Sequence, residues 1–340
     1  MTVGTLTNLF HPWLAERFLV GTLNAMLALL AGWAALGVLL REQASIAEER
    51  RFELVASAFA IAKIGAWAEV FFLVMGADRM AGLLPGTVCA YGVLSANPWG
   101  FRALTLALLS AFALSAWQAL HSADLTQITP INNRIKARAT LLVAPFPIAS
   151  HLASTAFATQ LNLRSRSTCC STLAIQETSS LLINQVPGAE AWVVFVGASL
   201  LATISYLIAR FTLSKKPIFS ATTLSAIAAL SGFFAIPSYL APHVYESPVH
   251  RCPFCLLRSE EAQGYGWLLY AVMAIAFSSS IRTSVLAWIR PHASEKDEVN
   301  SLLSSTLQRA AFAWSLTTAL GAAPVITYTI AHRGASLFGN

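Results

Sequence analysis

Residues 18–40, FLVGTLNAMLALLAGWAALGVLL, contain no charged side chain. A helix rises about 1.5 Å per residue, so this stretch can cross the roughly 30 Å of bilayer hydrocarbon. Seven further apolar windows follow, at 52–75, 101–120, 139–162, 191–211, 219–241, 265–289 and 311–331. The fourth is interrupted by Pro145, Pro147 and His151, which a span tolerates when neighbouring helices satisfy the freed backbone groups. The expected fold is all-α: a polytopic transmembrane helix bundle of about eight spans, one integral membrane domain over 1–340.

The composition of the whole chain agrees. Of its 340 residues 56% are hydrophobic and 11% charged, against about 25% charged in a soluble domain. So few charges cannot cover a soluble surface, and a disordered chain would be poor in apolar residues. The lipid bilayer is therefore the first expected partner. The net charge of +6 has a membrane explanation, because basic residues gather beside spans on the cytoplasmic side. No Lys/Arg run has the length of a nucleic-acid patch, so nucleic acid is not an expected partner. The first basic residue is Arg17, so the basic region of a cleaved signal is missing before the first window.

The loops alternate in charge. Arg41, Arg50, Arg51, Arg134, Lys136, Arg138, Arg210, Lys215, Lys216, Arg290, Lys296 and Arg309 fall on one side. Arg17, Arg79, Arg102, Arg164, Arg166, Arg251, Arg258 and Arg333 fall on the other. The positive-inside rule places the first group in the cytoplasm and both termini outside. The expected location is a bacterial inner membrane. His121 and His292 then read as inner-loop residues.

Two loops share a pattern. PGTVCAYGVL at 85–94 and PVHRCPFCLL at 248–257 both fit Pro-x3-Cys-x-aromatic-x2-Leu. Corresponding windows in the two halves are offset by roughly 165 residues, the signature of a parallel repeat. The expected half-repeats are 17–163 and 190–333. Chance similarity of short loops and span lengths is the plainer alternative. Gly92 stands where the second copy has Cys255, so only the second copy holds a cysteine pair.

All five cysteines, Cys89, Cys169, Cys170, Cys252 and Cys255, lie outside the apolar windows, in loops of the outer side. An extracytoplasmic face is oxidising and sustains disulfides. The sharpest signal is HRCPFCLLRSEE at 250–261. Its C-x-x-C spacing lets Cys252 attack a partner disulfide and Cys255 resolve the mixed disulfide. Positive charge from His250, Arg251 and Arg258 would raise the thiolate fraction. Cys169 and Cys170 are the candidate second, shuttle pair, and Cys89 is an auxiliary thiol.

Cys-Pro-Phe-Cys resembles a thioredoxin-type active site over four residues, without the surrounding βαβ pattern. The layout is similar to that of membrane thiol oxidoreductases of the disulfide-bond-forming or vitamin K epoxide reductase type. That resemblance implies a soluble thioredoxin-like partner at the extracytoplasmic face and a quinone at the other end of the relay. The span count and the adjacent second pair depart from it. Two other readings stay open. His250, Cys252 and Cys255 offer donors for a soft metal ion such as Cu(I) or zinc. Alternatively, disulfides staple the outer loops of a non-catalytic membrane subunit. Haem attachment would need His directly after the second cysteine, where Leu256 stands.

Lys63, Glu69 and His151 fall inside the windows. Intramembrane ionisable residues are costly and mark pathways or proton sites, so these three are the candidates for a small-solute or metal-handling transporter. Arg282, within SSSIRTS at 278–284, reads as a residue that snorkels to the inner end of its span, the alternative being that the serine run packs small residues against another helix. Walker, HExxH and Gly-x-Ser-x-Gly motifs do not occur.

Overall fold

The structure is a computed structural model that describes residues 12–40, 45–125, 133–163, 188–258, 262–290 and 296–338. Among these residues every regular element is helical. Eight helices are long and apolar enough to cross a membrane. The chain is thus a multi-pass, all-α membrane bundle.

The elements are α1 (Pro12–Leu40), α2 (Ile46–Met80), α3 (Ala90–Ser95), α4 (Trp99–Leu125), α5 (Asn133–Val143), α6 (Pro145–Gln160), α7 (Gly188–Thr212), α8 (Lys215–Ala235), α9 (Ala241–Val244), α10 (Tyr265–Ile289) and α11 (Lys296–Ala331). Local chemistry sets several of their ends. Ser45 and Glu48 form a reciprocal capping box at the start of α2. Pro145 has no N–H to continue α5 and opens α6 instead. Pro237 lies in a π turn, Ile236–Leu240, that joins α8 to α9.

Many large apolar side chains are exposed. On α1 they include Leu19, Leu23, Met26, Leu30 and Trp33. Their spacing of three and four puts them on one face, the face lipid would cover. The buried faces are built from small residues. Ala28, Ala31, Ala56, Ala62, Ala66 and Ala111 surround Phe59 and Trp117. Small residues let spans approach closely where lipid removes the usual hydrophobic drive.

The chain divides into two compact units, Met1–Ser167 with Trp288–Val299, and Thr168–Ala287 with Asn300–Asn340. In the first, α1 packs on α2 and α6, and α4 packs on α2 and α6, closing a ring of four spans. In the second, α7 packs on α8. Ser280 of α10 donates to Ser225 of α8 at 3.1 Å, and Trp314 of α11 donates to Ser280 at 3.0 Å. Trp192 of α7 donates to the Gly321 carbonyl of α11 at 2.8 Å. These bonds close a second ring, α7–α8–α10–α11. The serine run of α10 thus serves helix packing, with Ser284 also 2.9 Å from Thr222.

Several loop assignments from hydropathy are corrected: Arg17 is buried in α1, Arg50 and Arg51 lie in α2 and Arg309 in α11, and two further residues near helix ends change place. Lys136 is not a loop charge: it lies in the first turns of α5 and is fully buried. His121 is not an inner-loop residue either, since it is buried in α4. Both belong to helix ends whose polar side chains lower the local hydropathy.

Candidate functional site

The Cys-Pro-Phe-Cys loop lies in the second unit, between α9 and α10. The chain leaves α9 through Tyr245 and Glu246, the latter at φ 50°. Ser247 N–H donates back to the Pro242 carbonyl at 3.0 Å, and His250 N–H to the Ser247 carbonyl at 3.1 Å. Cys255 then begins a single 3-10 turn, Cys255–Leu257, closed by Arg258 N–H on the Cys255 carbonyl at 2.9 Å. Leu256 anchors the turn in a core of Ile236, Leu240, Ala241, Leu269 and Val325.

Two tyrosines clamp the loop through its backbone. Tyr245 donates to the Cys255 carbonyl at 2.6 Å. Tyr270 of α10 donates to the Pro253 carbonyl at 2.9 Å. Pro253 can donate no hydrogen bond of its own, so this loop is fixed mainly through its carbonyls. The His250 ring stacks on Tyr245 with centroids 3.9 Å apart.

Both thiols are buried, Cys252 to 2% and Cys255 to 3% exposure. Their Sγ atoms lie within 4.8 Å of each other. A disulfide has S–S near 2.05 Å, so closing the pair requires a side-chain movement of only about 3 Å. The C-x-x-C spacing thus corresponds to two neighbouring thiols in the structure. Burial adds a barrier that spacing did not reveal.

Cys89 belongs to the first unit, where it is buried and precedes the short helix α3 as its N-cap residue. Cys169 and Cys170, the proposed second pair, lie outside the described residues. Arg251 and Arg258 flank the Cys-Pro-Phe-Cys segment at intermediate exposure.

The intramembrane polar residues separate into two places in the first unit. Lys63 donates to Gln118 of α4 at 2.8 Å. Glu69 and His151 join a different network. Arg17 of α1 pairs with Glu69 at 3.2 Å, and Asn24 of α1 donates to Glu69 at 2.6 Å. Ser150 of α6 donates to Glu69 at 3.0 Å, and Arg17 also reaches the Ser150 carbonyl at 3.2 Å. Next to Ser150, His151 places Nε2 3.4 Å from Thr22 of α1. Gly21 makes the approach possible, since a Cβ there would come within 2.8 Å of His151 Nδ1.

Sequence reading missed a third assembly, formed by Glu53, His121, Asp124 and Lys136. Its one local signal is the His121-x-x-Asp124 spacing, which puts both side chains on one helix face. Compared with protein families, curated proteins and solved structures, the chain matches none.

Proposed function

We propose that this chain is a membrane thiol–disulfide relay protein acting through Cys252 and Cys255 at the extracytoplasmic face. The observation that carries this reading is the buried pair itself: two thiols within 4.8 Å on a loop clamped by Tyr245 and Tyr270. The charge asymmetry of the loops supports an outer position for this segment, with both termini outside a bacterial inner membrane.

In the proposed cycle the Cys252 thiolate attacks a disulfide of a soluble thioredoxin-like partner. The partner's S–S bond breaks, one partner sulfur leaves as thiolate and takes up a proton, and a mixed disulfide forms. The Cys255 thiolate then attacks Cys252 Sγ. The second partner sulfur leaves, and the Cys252–Cys255 disulfide remains. Two electrons have passed to the partner. A quinol or another dithiol, Cys169 and Cys170 among the candidates, returns two electrons. Run in reverse, the same steps deliver two electrons to a quinone.

Trapping tests the proposal. Cys255→Ser, expressed in the full chain, is expected to accumulate a reductant-sensitive adduct through Cys252, and Cys252→Ser is not. Absence of any adduct in Cys255→Ser, with envelope thiol oxidation unchanged in Cys252→Ser cells, overturns the relay.

A second reading is transport of a small solute or metal ion through the first unit. The convergence of Arg17, Asn24, Glu69, Ser150 and His151 from three spans favours it, because buried charges in spans commonly line pathways. Uptake into proteoliposomes that is lost in Glu69→Gln and retained in Cys252→Ser distinguishes this reading from the relay.

A further inference from the structure

Where α2 begins and α4 ends, four ionisable side chains of the first unit meet. Glu53 comes from the second turn of α2, His121 and Asp124 from the end of α4, and Lys136 from the start of α5. Lys136 Nζ donates to Glu53 Oε2 and to Asp124 Oδ2, both at 2.6 Å. The ammonium therefore occupies the position between two carboxylates that a bound cation would take. It compensates only one of their two charges.

His121 completes the bowl. It is 3% exposed, and one donor atom each from Glu53, His121 and Asp124 lie within 4.8 Å of one another. The imidazole is oriented by stacking on Trp117, with centroids 5.1 Å apart and planes at 14°. Trp117 is itself fixed by donating to Thr140 of α5 at 2.9 Å. His121 Nδ1 and Glu53 Oε1 are shielded from solvent and have no hydrogen-bond partner among the described residues. Buried polar atoms are rarely left so, and each is a donor atom that a metal could use.

We propose that Glu53, His121 and Asp124 form a binding site for a divalent first-row cation, with Lys136 as the tethered cation of the metal-free state. One imidazole and two carboxylates suit ions such as Mn2+, Fe2+ or Zn2+. Bonds near 2.1 Å place the donors of a tetrahedral ion roughly 3.4 Å apart, so the set closes by about 1.4 Å or less. Binding is an exchange. The metal takes the two carboxylates and an unprotonated nitrogen of His121, and Lys136 Nζ leaves the carboxylates or gives up its proton. This set holds no sulfur, so a hard ion separates it from the thiols.

The probe is Mn2+, added to the full chain purified in detergent and followed by electron paramagnetic resonance. One saturable Mn2+ per chain is expected, with a nitrogen coupling that disappears in His121→Gln. Glu53→Gln and Asp124→Asn are expected to weaken binding at least tenfold. Lys136→Met removes the competing cation and is expected to tighten it at least tenfold. The double variant Cys252→Ser/Cys255→Ser leaves binding unchanged. Failure of the wild-type chain to bind Mn2+ saturably overturns the site, as does bound Mn2+ without nitrogen coupling. Either reading needs no variant to fold. Weaker binding by a folded Lys136→Met overturns the role assigned to Lys136.

Discussion

The phenol of Tyr245 reaches ten residues along the chain to hold the Cys255 carbonyl at 2.6 Å. With Tyr270 on Pro253 at 2.9 Å, it pins the loop that carries two thiols solvent barely touches. A reagent or partner protein must first open that loop. One hydrogen bond contributes about 1 kcal/mol net, a factor of about five in an opening equilibrium. Tyr245→Phe and Tyr270→Phe should therefore each speed alkylation of Cys252 by about fivefold. Mass spectrometry of maleimide-treated chain reads this directly. Equal rates in wild type and both variants would show that the clamp does not limit access.

Arg17 and Glu69 pose a different question, one of stability. Their pair is buried to 3% and 1% exposure. Removing one partner of such a pair costs about 3–5 kcal/mol, because the other charge is left uncompensated. Glu69 also accepts from Asn24 and Ser150. In Arg17→Met the carboxylate keeps these two donors, whereas in Glu69→Ala the guanidinium keeps, among the described residues, only the Ser150 carbonyl. The expected order of thermal stability in detergent is wild type, then Arg17→Met, then Glu69→Ala. The double variant Arg17→Met/Glu69→Met should recover part of the loss, since no unpaired charge remains. A double variant less stable than both single variants contradicts this account.

The spans were legible because crossing a bilayer sums the transfer preference of about 20 side chains, and no single residue decides the outcome. Ionic partners were not. Glu69 stands out as an intramembrane carboxylate, but Arg17 lies 52 positions away on another helix, and only tertiary packing joins them. Lys136 reads in sequence as a cytoplasmic loop charge because Arg134, Lys136 and Arg138 lie together just before the fourth apolar window. Nothing in that segment announces Glu53 and Asp124, which come from other helices to neutralise it. The Cys252–Cys255 spacing was equally plain in the sequence. Its burial, the tyrosine clamp and the Leu256 anchor are features of the folded chain that the loop alone does not disclose.

Close helix approach in the first unit rests on missing side chains. Gly65 of α2 faces the amide of Asn24, and a Cβ added there overlaps it. Asn24 cannot retreat freely, because it donates to Glu69 at 2.6 Å. Overpacking of this kind costs about 1–3 kcal/mol. Gly65→Ala should therefore lower the midpoint of thermal unfolding. Gly37→Ala, at a position with open space around it, should leave the midpoint level or raise it, since alanine is the better helix former. Equal effects at the two sites would mean that α1 and α2 do not approach as closely as described.

In the second unit, Ser280 carries a polar junction. Its Oγ accepts from the Trp314 indole at 3.0 Å and contacts Ser225 Oγ at 3.1 Å, and Ser225 in turn lies 3.1 Å from the Tyr206 hydroxyl. All four side chains are buried, so no water stands ready to replace a lost partner. Ser280→Ala leaves the Trp314 N–H unsatisfied, at a cost of about 1–3 kcal/mol. Trp314→Phe removes that donor and gives up mainly ring volume. The two changes should therefore couple: the double variant is expected to lose less stability than the sum of the single losses. Thermal unfolding of the four chains in one detergent measures the coupling. Strict additivity would mean that the Trp314–Ser280 bond contributes nothing to holding α10 against α11, leaving their apposition to packing and to the Tyr265 hydrogen bond on the Leu320 carbonyl.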